Sequence, residues 1–146
     1  MPYKLNIFYK KKILIYGLGK SGLSVLKFLK KDNEITTHDD KKKIDNKKIT
    51  KIKFDYIIIS PGIDVNKCNL SKFLKNNSKK IYTDLDIFYN HHKENNKITI
   101  TGTNGKSTTA KILHDVLKDQ KIDVRLVGNI GNPILLEKKV TNRTVF

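Results

Sequence analysis

Twice in this chain a short run of apolar residues stops at a glycine-rich turn and gives way to helical spacing. Ile13-Leu14-Ile15-Tyr16 runs into Gly17, and Lys97-Ile98-Thr99-Ile100 runs into Thr101-Gly102. A buried strand, a tight glycine turn and a helix in that order form the unit from which parallel sheets are built. Around the first unit, Leu23, Leu26 and Leu29 predict a helix over about 21–31. Strands are predicted at 34–38, 55–59 and 80–83. A short helix is predicted around Leu70, Phe73 and Leu74, and another from Leu85 that fades at His91-His92. The Lys-rich stretch 41–53 reads as a loop with one poor turn. Around the second unit, a helix over about 106–118 places Ile112, Leu113, Val116 and Leu117 on one face, and a strand follows at 122–127. The fold class is therefore α/β: a Rossmann-like parallel-sheet domain over 1–93, then the incomplete start of a P-loop ATPase-like domain over 94–146. The polar stretch 91–96 marks the boundary. Two complete strands are too few for an independent sheet core in the second part.

Composition narrows the class further. At 146 residues and 38% apolar, the chain can bury a core. No apolar run approaches the ~20 residues that span a bilayer, and the first twelve residues lack the apolar stretch of a signal peptide. One cysteine, Cys68, makes no intrachain disulfide and frames no zinc site. The expectation is a cytoplasmic protein without membrane contact, and a monomer. The net charge of +16 invites a nucleic-acid reading. Its composition argues against one. Lys (28), Ile (19) and Asn (14) dominate, as AT-rich codon bias produces, while Arg occurs only at Arg125 and Arg143. Base-reading surfaces favour arginine, whose fork matches guanine edges and phosphates. A solvated basic surface that favours anionic ligands is expected, with no specific nucleic-acid partner. His91-His92 reads as surface.

The second glycine turn carries the stronger chemical signal. In Thr101-Gly102-Thr103-Asn104-Gly105-Lys106-Ser107-Thr108-Thr109, glycines let the backbone curl so that N–H groups converge on phosphate oxygens. The following helix start adds partial positive charge at the same place. Lys106 is the candidate catalytic cation for the β- and γ-phosphates, and the Ser107 hydroxyl the candidate Mg²⁺ ligand. Gly102, Thr103, Asn104, Gly105, Lys106, Ser107 and Thr108 form the candidate ATP-binding set. Ile100 stands where the usual motif has its first glycine. The first turn, Gly17-Leu18-Gly19-Lys20-Ser21-Gly22, has the G-x-G-x-x-G spacing, and Asp39 lies about 20 residues on, at the end of the second strand. In such units the turn binds a diphosphate, and the acid accepts hydrogen bonds from a ribose or base. Binding of NAD alone would leave the second loop unexplained.

Four stretches together resemble the Mur ligases of peptidoglycan synthesis: Gly17 to Ser24, Ser60-Pro61-Gly62-Ile63, Ile100 to Thr108, and Gly128-Asn129-Ile130-Gly131. They stand in that family's order and at similar spacing. The first loop with Ser60 to Ile63 is most similar to the D-glutamate-adding members. The resemblance implies an ATP- and Mg²⁺-dependent ligase in which the terminal carboxylate of UDP-N-acetylmuramoyl-L-alanine is phosphorylated and the amine of D-glutamate displaces the phosphate. It implies that Gly19, Lys20, Ser21, Asp39, Asp40 and Lys41 surround the uridine diphosphate. Ser60, Pro61 and Gly62 would line its path, and Asn129 would touch the substrate near the reacting carboxylate. Asp40 and Lys41 stand where the family more often has Thr and Arg. Thr144-Val145-Phe146 resembles the opening of a strand that leads, in the family, to further magnesium ligands and a C-terminal domain. The resemblance thus implies an N-terminal fragment that is inactive alone. The alternative is a non-catalytic nucleotide- or UDP-sugar-binding module.

Overall fold

A computed structural model describes residues 7–42, 46–128, 130 and 132–146. The chain divides into two compact units, Met1–His91 and His92–Phe146. In the first, β1 (Lys12–Tyr16), β2 (Glu34–His38), β3 (Tyr56–Ile59) and β4 (Ile81–Tyr82) form one sheet in the order β2-β1-β3-β4. Every pairing is parallel, with Leu14 opposite Thr36 on one side and Ile57 on the other. Helices α1 (Lys20–Leu29), α2 (Asn46–Thr50) and α3 (Ser71–Asn76) fill the crossovers, and α4 (Asp84–His91) follows β4. This is the α/β Rossmann-like arrangement that the alternation of apolar runs and helical spacing predicts.

Burial explains why β1 reads as an unbroken apolar run. It lies inside the sheet and is covered on both faces, so Ile13, Leu14, Ile15 and Tyr16 are all fully buried. Leu14 and Tyr16 join Ile49, Phe54, Ile57, Leu70 and Leu74 in a core that draws on α2 and α3. Ile13 and Ile15 point to the opposite face. Helices α1 and α4, which pack on each other, bury Val25, Leu29, Ile87 and Phe88. Phe8 is buried against the rings of Tyr56 and Tyr82, at centroid distances of 5.0 and 5.6 Å. The stretch read as a poorly structured loop contains the short helix α2, because Ile49 has a core to enter.

In the second unit, α5 (Lys106–Asp119) is the one long helix among the described residues. The strands predicted at 97–100 and 122–127 are not formed as continuous ladders. Pairing is confined to single rungs, Val124 with Val145 and Val127 with Asn132, both parallel. The final residues bond to both sides. Val145 N–H donates to Asp123 O at 2.9 Å and Val145 O accepts from Arg125 at 2.8 Å. Phe146 N–H donates to Asn96 O at 3.0 Å and its carbonyl accepts from Ile98 at 2.7 Å. Polar contacts add to the burial of Ile134, Leu135 and Phe146. Asn95 Nδ2 donates to Thr141 O and Thr144 O, and the buried Thr144 hydroxyl donates to Asp123 Oδ2 at 2.5 Å. The apolar face expected on α5 is split: Leu113 and Leu117 are half-buried, whereas Ile112 and Val116 are 58% and 52% exposed.

Candidate functional site

In an open parallel sheet, ligands bind beyond the carboxyl ends of the strands, where the order reverses. Here that point lies between β1 and β3. The ends of those strands are Tyr16-Gly17 and Ile59-Ser60, and the chain ties them directly. Ser60 N–H donates to Tyr16 O at 2.9 Å, and the Ser60 hydroxyl donates to Gly17 O at 2.8 Å. The three glycines of the first turn have distinct reasons to be glycine. Gly17 has φ +90°, and a Cβ there would lie 2.9 Å from Ser60 Cβ. A Cβ on Gly22 would lie 1.8 Å from Gly17 O, so α1 could not pack so close to β1 with any other residue. A Cβ on Gly19 would meet nothing within 4 Å. Gly19 therefore leaves open space over the backbone at the start of α1, where an incoming group can approach.

Beyond the turn, Asp39 serves the loop. Its carboxylate accepts from Leu18 N–H at 2.7 Å and from Lys41 N–H at 3.0 Å. Those two amides hold its carboxyl below the usual carboxylate range. The backbone N–H groups from Gly19 to Gly22 donate to no described residue, nor do the Lys20 ammonium and Ser21 hydroxyl. Pro61 and Gly62 are exposed on the β3 side of the same crevice. The structure thus brings together Gly19, Lys20, Ser21, Asp39, Lys41, Ser60, Pro61 and Gly62. Ser60 and Asp39 spend their side chains on the loop itself.

Asp40 is turned to another task. Its Oδ1 accepts from the Tyr16 hydroxyl at 2.6 Å, and its Oδ2 accepts from Asn69 N–H at 3.3 Å. His38, 1% exposed, places Nε2 3.3 Å from the same Oδ1, out of line for a hydrogen bond. Burial, then the Asp40 hydrogen bond and the nearby Cys68 thiol, push the Tyr16 phenol far above its ordinary pKa, so it remains a donor. Sequence reading placed Tyr16 among the apolar strand residues and passed over His38. The available signal was a tyrosine ending a buried strand, since a buried phenol needs a partner.

The second loop precedes α5. Gly102 has φ +147° and Gly105 has φ +75°, both in the region that favours glycine. All residues from Gly102 to Thr108 are exposed, and none of their N–H groups donates to another described residue. The Lys106 ammonium folds back over the loop, donating to Gly102 O and to Thr103 O. A cation above a curl of open amides at the start of a 14-residue helix suits a polyphosphate. Among the described residues no group of three His, Cys, Asp or Glu side chains could hold a metal. The Ser107 hydroxyl is exposed at the start of the same helix. Asn129 lies outside the described residues. No helix among them is long and apolar enough to cross a membrane.

No protein-family model matches the chain. Individual relatives do. It is 35% identical to the UDP-N-acetylmuramoylalanine--D-glutamate ligase of Rickettsia bellii, over 92% of this chain and 33% of that protein. Similarity to the same-named ligase of Rickettsia prowazekii is 34%, with the same shares covered. For that of Francisella tularensis subsp. tularensis it is 39%, over 85% of this chain and 30% of the relative. The chain thus spans about a third of the length of the curated relatives it matches. With the parallel sheet and both glycine turns in place, the chain is similar along about nine-tenths of its length to about a third of these D-glutamate ligases.

Proposed function

We propose that the chain supplies the substrate-carrier pocket and the phosphate loop of an ATP-dependent, D-glutamate-adding ligase of peptidoglycan synthesis. The observation that carries this reading is the pair of open amide turns, Gly19–Gly22 and Gly102–Thr108, each at the start of a helix. In this reading residues 1–93 bind the uridine diphosphate of UDP-N-acetylmuramoyl-L-alanine. The α1 amides and Lys20 hold the diphosphate, Asp39 and Lys41 stand beside the nucleoside, and Ser60, Pro61 and Gly62 wall the path toward the reacting end. Residues 94–146 begin the ATP-binding domain. Lys106 would leave its loop carbonyls to neutralise the terminal phosphates, Ser107 would ligate Mg²⁺, and Thr108 would complete the ATP-binding loop. Asn129 contacts the substrate near its carboxylate. When bound, ATP supplies a phosphoryl group that turns a poor electrophile into one the D-glutamate amine can attack. The ligase works as a soluble cytoplasmic monomer.

The chain covers a third of its relatives, and this favours a second statement: by itself it binds but does not ligate. Thermal denaturation of the 146-residue chain tests the reading. Ligand at a hundredfold excess over its dissociation constant adds about 2.7 kcal/mol to the stability of the state that binds it. UDP-N-acetylmuramoyl-L-alanine is expected to raise the midpoint, NAD to leave it in place, and ATP to have little effect. A strong NAD response with none to the UDP-sugar overturns the reading. ATP turnover dependent on both UDP-N-acetylmuramoyl-L-alanine and D-glutamate overturns the statement that the chain alone does not ligate.

A further inference from the structure

Three segments meet at one carboxylate beside the crevice. They are the end of β1 (Tyr16), the end of β2 (His38 to Asp40) and the turn before α3 (Asn69). We propose that Tyr16 and Asp40 form a latch that positions the crevice rim, so that Asp40 acts on a ligand only through the placement of Asp39, Lys41 and the Asn69 turn.

Tyr16 is fully buried in the core with Leu70 and Leu74, and the His38 ring lies edge-on to it at 4.8 Å. Its hydroxyl therefore stands at a fixed point. A buried phenol loses its water and needs an acceptor, and a carboxylate is the strongest one available. At 2.6 Å the bond is short and charge-assisted. It pulls the backbone that follows β2 across the end of β1. One residue earlier, the same backbone carries Asp39, whose oxygens hold Leu18 and Lys41. Leu18 is the second residue of the glycine turn. Release of Asp40 therefore loosens the grip of Asp39 on that turn and frees the turn at Asn69. Asp40 Oδ1 and Oδ2 each already accept, from Tyr16 and from Asn69.

The effect on a ligand rests on the reading of this crevice as a nucleotide-sugar pocket, whereas the latch itself does not. Two readouts on the full chain keep them apart: amide hydrogen exchange without ligand, and calorimetric titration with uridine diphosphate. Tyr16→Phe, which keeps the ring and removes the hydroxyl, should speed exchange at the Leu18 and Asn69 amides and weaken uridine diphosphate binding, each by about tenfold. Asp40→Ala should do the same, and the double variant should be no worse than the more affected single one. Asp40→Asn keeps a carbonyl for the phenol but loses the acceptor for the Asn69 N–H, so its binding should fall between that of the parent and that of Asp40→Ala. Unchanged exchange in Tyr16→Phe overturns the latch. So does weakened binding in Asp40→Ala with unchanged binding in Tyr16→Phe, because Asp40 would then touch the ligand itself. Parent chain that fails to bind uridine diphosphate overturns the pocket reading, and the exchange data alone then decide the latch.

Discussion

Gly22 and Gly19 sit three residues apart in one motif, yet their surroundings demand opposite responses to the same change. A methyl group on Gly22 would overlap Gly17 O at 1.8 Å, a backbone atom that cannot step aside. Gly22→Ala should therefore cost about 3 kcal/mol or more, read as a fall in the urea midpoint. Gly19→Ala should leave the midpoint within about 0.5 kcal/mol, since the new carbon meets no neighbour. Asp39 gives the residue scale a pH signature. Its folded-state pKa is depressed by the Leu18 and Lys41 amides, so its contribution is complete above the unfolded value of about 3.9 and is lost as pH falls through the folded value. Urea midpoints of the parent should thus drop more steeply below about pH 4 than those of Asp39→Asn. Equal slopes would remove Asp39 from the loop's support.

At the level of elements, the sequence was most legible where one strand carries its own core. The run Ile13 to Tyr16 could be read as buried because β1 is covered on both faces, and β2 could be read at 34–38 from its spacing after α1. Reading failed where an element depends on what lies beside it. The segments at 97–100 and 122–127 have strand composition, but apolar composition alone does not supply a paired neighbour, and isolated bridges are all that form in 122–127. The stretch 41–53 reads as a loop with one poor turn, and α2 is that turn, held because Ile49 enters the core beneath it. At the site, glycine spacing revealed the two turns, whereas the role of Asp40 depends on Tyr16, 24 residues away. Gly105, at φ +75°, belongs to this scale too, because it sets the entry into α5. Gly105→Ala should cost about 1 kcal/mol by forcing a side chain into the left-handed region. Chemical denaturation followed by circular dichroism would register that loss, and an unchanged midpoint would contradict the loop geometry.

For the molecule as a whole, the two units have different kinds of support. The first has a four-stranded parallel sheet with a core on each face. The second has a helix, single-rung pairings and a polar clamp around Thr144. In the proposed function the carrier nucleotide binds the first unit and the triphosphate binds the loop of the second. Changes in one loop should then leave the other ligand's site untouched. Lys106→Ala should not alter uridine diphosphate affinity by more than about twofold, within the additivity of independent sites. The most direct test of that division is calorimetric titration of UDP-N-acetylmuramoyl-L-alanine into the parent chain, Gly19→Ala and Lys106→Ala. The account predicts binding by the parent and by Lys106→Ala, and binding weakened about tenfold or more in Gly19→Ala, where the methyl enters the space left for the diphosphate. Full affinity in Gly19→Ala, or loss of affinity in Lys106→Ala, would contradict it.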